Sequence, residues 1–173
     1  MGQPPGRRDQ RAERFEEIFD ATADRLRNYC LRHTSPQQAE DVVSEVFTAA
    51  WRKLDQLPDP ALPWLIVAAR QEMAAQYRTH KRQGQISERL APLTALASDS
   101  PELGVERREE LLRALASLSD DDREAMLLIA WDGLSTRDAA RVLGTTPGAL
   151  RVRIHRARTA LRHQFDTTGA THA

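Results

Sequence analysis

The sequence predicts an all-α protein: two small helical domains joined by a flexible linker, the C-terminal one a four-helix domain ending in a helix-turn-helix. Three observations predict it. Eight glycines and 5% aromatic residues accompany abundant Ala, Leu and Arg, and alternating β-branched stretches are almost absent, so little in the chain favours strands. Apolar residues recur at helical spacing through 13–81 and again through 105–165, whereas 82–104 mix Gly, Pro, Ser and Asp with short apolar pieces, the composition of a linker. Finally, LSTRDAARVLGTTPGALRVRIHRARTALR, from Leu134 to Arg162, is two short helical patterns around a glycine turn.

Residues 1–12 are polar and proline-containing and are expected to be a disordered tail. A first helix from about Glu13 to His33 presents Phe15, Ile18, Phe19, Leu26, Tyr29 and Cys30. Ser35-Pro36 then supplies a cap and a first-turn proline for a second helix reaching about Leu54. Its apolar stripe is Val42, Val43, Val46, Phe47, Ala50, Trp51 and Leu54, and its opposite face holds Glu40, Asp41, Ser44, Glu45, Thr48, Arg52 and Lys53. The acids lie toward the start and the bases toward the end, an order that the helix dipole favours. The loop QLPDPALP is stiffened by three prolines. A third helix, Pro63 to about Lys81, is expected to bury Trp64, Leu65, Ala68, Met73 and Tyr77, and ends in the basic cluster RTHKR.

After the linker, with one turn of helix expected around Arg89–Leu96, periodicity resumes at Val105 with Leu111, Leu112, Leu115 and Leu118 on one face. Ser119 followed by Asp120, Asp121 and Asp122 opens the next helix, approximating a capping box with three acids at the favourable dipole end. Met126, Leu127, Ile129, Ala130 and Trp131 supply its apolar surface and Gly133 stops it. Ser135 caps the first helix of the helix-turn-helix, whose inner side is Ala139, Ala140, Val142 and Leu143, and Gly144 closes it. Thr146 with Pro147 starts the second, backed by Leu150, Ile154, Ala157 and Leu161. Residues 166–173 are expected to be a disordered tail.

That last helix carries the chemistry. Arg151, Arg153, Arg156, Arg158, Arg162 and His155 occupy its outer positions with no acid between Thr146 and Arg162, the pattern of a recognition helix in a DNA major groove. The chain as a whole is neutral, with 25 Lys+Arg and 25 Asp+Glu. The charge is nevertheless sorted. Residues 146–173 have five arginines and one acid, and 105–145 have six arginines and nine acids; phosphate binding depends on such local arrangement. The first turns of a recognition helix lie deepest in the groove, which favours Ala149, Arg151, Val152 and His155 as base contacts over Arg158 or Arg162.

Other classes find less support. No apolar run approaches the ~18 residues of a spanning helix and no signal-peptide core is present, so a cytoplasmic protein without membrane insertion is expected. The single cysteine, Cys30, precludes an internal disulfide, and at helical spacing with Leu26 and Tyr29 it reads as a small buried hydrophobe. The five histidines lack metal-ligand spacing and no His, Cys or carboxylate set converges, so no cofactor and no enzymatic activity are expected. A phosphorylation-controlled regulator would need a β-containing receiver domain, for which no strand is found.

In the first domain Ser35–Trp51, SPQQAEDVVSEVFTAAW, resembles D-P-x-D-A-E-D-L-V-Q-E-V-F-x-x-A-W, and in the second LSTRDAARVLGTTPGALRVRIHRAR resembles L-S-x-x-E-I-A-x-x-L-G-x-S-x-G-T-V-K-S-R-L-H-R-A-R. These are patterns of the extracytoplasmic-function (ECF) sigma factors, the minimal two-domain group, and the resemblance covers about 14–80 and 106–163. It implies a dissociable subunit of bacterial RNA polymerase that directs promoter recognition and melting, with region 2 at 13–81 and region 4 at 105–165. The alternative is a helix-turn-helix transcription regulator that is no polymerase subunit.

The resemblance implies core polymerase (β′ clamp coiled coil and β flap), promoter DNA and, in many members, an anti-sigma factor as partners. Asp41, Ser44, Glu45 and Thr48 match the clamp-docking surface. Arg70, Gln71, Gln76 and Arg78 lie on the minus-ten reader, where Gln71 replaces a common Asn and keeps its amide on a longer arm; Val67, Ala75 and Gln76 stand where polar or basic residues are frequent. Thr146, Pro147, Ala149, Arg151, Val152, Arg153, His155, Arg156 and Arg158 match the minus-thirty-five reader. Val152 replaces a usual Ser.

Overall fold

The computed structural model describes residues 7–82 and 105–169, and within these every element is helical. They are α1 (Arg7–Leu31), α2 (Pro36–Arg52), a 3-10 turn (Leu54–Gln56), α3 (Leu62–Arg82), α4 (Val105–Ala116), α5 (Asp120–Ala130), α6 (Thr136–Val142) and α7 (Pro147–Gly169). The chain divides into two compact units, Met1–Ala91 and Pro92–Ala173.

In the first unit α1, α2 and α3 pack on one another around Leu26, Tyr29, Val42, Val46, Leu54, Leu65 and Ile66. Local chemistry sets the boundaries. The Ser35 hydroxyl accepts from the Gln38 amide at 3.4 Å, with Pro36 behind it in the first turn. Helix α1 starts at Arg7, not at residue 13, so the expected tail is helical from there on. Arg11 explains this: it pairs with Asp55, donates to the Trp51 carbonyl at 3.3 Å and lies over the Trp51 ring at 5.5 Å. Arg14 adds a bond to the Leu57 carbonyl at 3.3 Å. Arg11 thus ties the polar segment to the end of α2 and the loop that follows, and Arg14 reinforces the tie one turn on.

Two expectations about buried faces fail for a common reason. Trp51 is 41% exposed and Phe19 43%, because they sit on the outer edge of the α1–α2 seam, in an aromatic cluster with Phe15 and the buried Phe47. Likewise α3 buries Leu62, Leu65, Ile66 and Ala69, whereas Met73 is only half-buried and Tyr77 is 41% exposed. Coverage of α3 falls off along its length, with Tyr77, Arg78 and Thr79 all exposed.

In the second unit Leu115, Leu118, Leu127 and Ala157 form the centre of the core, with Leu111, Leu112, Met126, Trp131 and Leu161 packed against them. Ala125 and Leu128 are buried on α5, while Ala130, expected on its apolar face, is exposed. The Ser119 hydroxyl accepts from the Asp122 amide at 3.2 Å, as Ser135 does from Asp138 at 3.1 Å and Thr146 from Ala149 at 3.2 Å. Helix α6 ends in a Schellman turn: the Thr145 amide reaches back to the Ala140 carbonyl at 2.9 Å and Gly144 takes φ +64°. Helix α7 runs on to Gly169, past the expected domain end at 165, since no breaker precedes that glycine. The expected linker overlaps α3 at Arg82, and the rest of it, with the turn at 89–96, lies outside the described residues.

Cys30 is fully buried, and burial pushes its thiol up to about 12, against a smaller downward pull from Arg32 and an upward one from Glu40. A thiol kept protonated is inert as a nucleophile. In the native protein at pH 8 a thiol reagent such as DTNB is expected to leave Cys30 unmodified for hours, and to react at once in denaturant. Because the folded value lies above the unfolded one, this group's contribution to stability is present below pH ~9 and is lost as pH rises toward ~12.

Candidate nucleic-acid interface

Helix α7 buries Leu150, Ile154 and Ala157 against α4, α5 and α6. Its opposite side is therefore set outward, and Thr146, Pro147, Ala149, Arg151, Val152, His155, Arg156 and Arg158 are all exposed there. From Thr146 to Arg162 this face is cationic and lacks acids. The turn before it is built so that α6 and α7 pack together, with the Gly144 and Thr146 geometry above fixing the chain between them.

Arg153 does not share this face. Its guanidinium lies 3.5 Å from Asp121 and 3.7 Å from Asp122, at the start of α5. Helical spacing alone places it among the basic positions, but at about 3.6 residues per turn it is only one step from Ile154 and stands at the border of the buried stripe. Removing it should therefore act differently from removing Arg156. Arg156→Ala is expected to lower the salt dependence of DNA binding by about one phosphate contact, while Arg153→Ala leaves the slope unchanged. Titrations at several salt concentrations check this.

The first unit presents two further candidate surfaces. Asp41, Ser44, Glu45 and Thr48 are all exposed on α2, one turn apart in pairs, beside the exposed edge of Trp51. Toward α1, the neighbouring Glu40 is held by Arg27 at 2.6 Å. On α3, Gln71 and Arg78 are exposed and two turns apart, so they share one line of the helix. Arg70 and Gln76 are placed otherwise: Arg70 donates to the Tyr29 hydroxyl at 3.2 Å and Gln76 to Glu72 at 3.2 Å. Sequence reasoning missed the aromatic edge of Phe19 and Trp51 as a surface feature, since its period is that of a core stripe.

Among the described residues no group of three His, Cys, Asp or Glu side chains could hold a metal ion, and no helix is long and apolar enough to cross a membrane.

Two helical units, the second ending in a helix-turn-helix with a cationic face that lacks acids from Thr146 to Arg162, are the arrangement expected of the DNA-binding transcription proteins as a class. Comparison with known proteins narrows this. Residues 18–83 match the family model of Sigma-70 region 2, and residues 108–161 match that of Sigma-70, region 4. The chain is 30% identical over 176 residues to the ECF RNA polymerase sigma factor SigL of Mycobacterium tuberculosis, covering 99% of each protein. It is 31% identical to the ECF RNA polymerase sigma factor EcfG of Rhodopseudomonas palustris, covering 77% of this chain and 74% of that one. With the probable RNA polymerase sigma factor RfaY of Xanthomonas campestris pv. campestris it shares 33% identity over 75% of its own length but only 35% of that longer protein. Among solved structures it is similar to the sigma factor RpoE of Bartonella quintana, crystallised with the anti-sigma factor NepR: 26% identity, TM-score 0.60, 88% of this chain and 96% of that one. The chain belongs to the ECF RNA polymerase sigma factors.

Proposed function

We propose that this sigma factor divides its work between three of its helices. The exposed face of α2, with Asp41, Ser44, Glu45 and Thr48, docks on the β′ clamp coiled coil of core polymerase, where an acidic surface meeting a basic one sets orientation and association rate. The outward line of α3, centred on Gln71 and Arg78, meets the minus-ten element, the Gln71 amide serving a base and Arg78 a phosphate. Arg70, held by Tyr29, shapes that helix rather than reaching out. Helix α7 enters the major groove of the minus-thirty-five element with Arg151, Val152 and His155 toward bases and Arg156 and Arg158 toward the backbone.

The observation that carries this reading is the exposed face of α7, acid-free from Thr146 to Arg162, in a chain that matches both sigma-70 regions. The chemistry of RNA synthesis stays with the polymerase and the protein works in the cytoplasm, where that enzyme is. An anti-sigma factor is a further partner, in keeping with the complex formed by the Bartonella relative.

Transcription in vitro with core polymerase and a promoter library tests the whole. The expected result is a set of transcripts sharing two upstream elements, absent without the sigma factor. Transcripts lacking a shared upstream element, or none at all, would refute the assignment. A Gln71→Ala variant should still give a polymerase complex but melt the promoter poorly, as permanganate footprinting would report.

A further inference from the structure

Val152 is the one large hydrophobic side chain that the second unit leaves mostly in solvent among its described residues, 52% exposed against 0, 7 and 1% for Leu150, Ile154 and Ala157 of the same helix. Its position is not at an edge. At about 3.6 residues per turn, Gly148, Val152, His155 and Thr159 form the line furthest from the buried stripe, with Arg151 and Arg158 on one flank and Arg156 on the other. All of these are exposed. This crest is low at its start. A Cβ on Gly148 would meet only the Thr146 hydroxyl, at 4.0 Å, and Ala149 adds a single methyl. No long side chain on the crest before Val152 holds the helix away from a surface it lies on, so the short valine can touch what the flanking arginines straddle.

An isopropyl group neither donates nor accepts a hydrogen bond. In the major groove the apolar feature on the base edges is the C5-methyl of thymine, while the other edge atoms are donors and acceptors that a valine would only desolvate. We propose that Val152 is a specificity-determining residue that packs on the C5-methyl of one thymine in the upstream promoter element, with Arg151 and Arg156 holding the helix over that base pair. The proposal rests on the reading of α7 as the helix that enters the groove. It assigns to one position a preference for a 5-methylpyrimidine, selected by contact with an alkyl group and not by hydrogen bonding.

Replacing each thymine of the upstream element singly by deoxyuridine removes one methyl and nothing else, and promoter binding by holoenzyme made with the full chain reads the effect. The wild type should lose about four-fold at one position, the worth of one buried methyl-sized group, and should be indifferent at the others. Val152→Ala should bind thymine and deoxyuridine equally there while keeping the other base preferences, and circular dichroism should show its fold unchanged, since the side chain is exposed. The proposal is overturned if no position responds to deoxyuridine, if the preferred element contains no thymine, or if Val152→Ala keeps the same penalty. Should Arg151→Ala and Arg156→Ala also bind as tightly as the wild type, the reading of α7 itself fails and the valine contact falls with it.

Discussion

Asp41→Arg/Glu45→Arg should fold like the wild type and assemble with core polymerase about 30- to 100-fold less well at low salt. Both carboxylates are exposed on α2, and its buried side, Ala39, Val42, Val46, Phe47 and Ala50, contains neither. The helix therefore keeps its packing. One exposed ion pair is worth about 0.2–1 kcal/mol, but a reversal replaces attraction with repulsion, and two reversals one turn apart act on the same basic surface. About 2–3 kcal/mol in total is the expected swing. Screening sharpens the test, because the Debye length shrinks from ~30 Å at 0.01 M to ~3 Å at 1 M salt, so the gap between variant and wild type should close as salt rises. Pull-down or fluorescence titration against core polymerase measures it, and unchanged binding at low salt would remove α2 from the docking surface.

The second large effect is on stability. Arg123→Ala should destabilise the second unit by about 2–4 kcal/mol, seen as an earlier transition in denaturant. The Arg123 guanidinium donates to the carbonyls of Leu115 at 2.8 Å, Ala116 at 3.3 Å and Leu118 at 2.8 Å, and to Asp120 at 3.0 Å. It thereby satisfies the end of α4 and the turn into α5 in one stroke, where the last carbonyls of a helix otherwise lack partners. Its side chain is only 22% exposed, so water cannot fully replace it. Arg123→Lys should recover less than half of the loss, since an ammonium on a flexible stem does not span carbonyls spread over this turn as a planar fork does. Full recovery by lysine would mean that charge beside Asp120, not the carbonyl bonding, sustains the turn.

Most of the helix boundaries were legible from residues 13 onward because they are set by neighbours in sequence. Ser35, Ser119, Ser135 and Thr146 each cap through an amide three residues on, and Gly144 takes the left-handed turn that its position requires. The start of α1 was not legible, since Arg11 is ordered by Trp51 and Asp55, some forty residues away. The same distance effect governs the faces. Periodicity marks Trp51 and Tyr77 as apolar positions of their helices, but whether another element covers them is decided by where α1 ends its seam and how far coverage reaches along α3. The candidate interface divides in the same way. The outward set Arg151, Val152, His155 and Arg156 follows from the burial of Leu150 and Ile154, which spacing alone predicts. That Arg153 leaves the set depends on Asp121 and Asp122 arriving from α5, which no local pattern announces.

The burial of Cys30 has a practical consequence for anyone wishing to watch this factor at work. The chain has one cysteine, and it is hidden and held as a thiol. A cysteine introduced at an exposed site such as Thr48 or Thr159 would then be the sole target for a maleimide dye in the native protein, with no need to mutate the first unit's core. Each helical unit can be given a single reporter in an otherwise unaltered chain, so that clamp docking and promoter engagement are followed as separate fluorescence signals in real time.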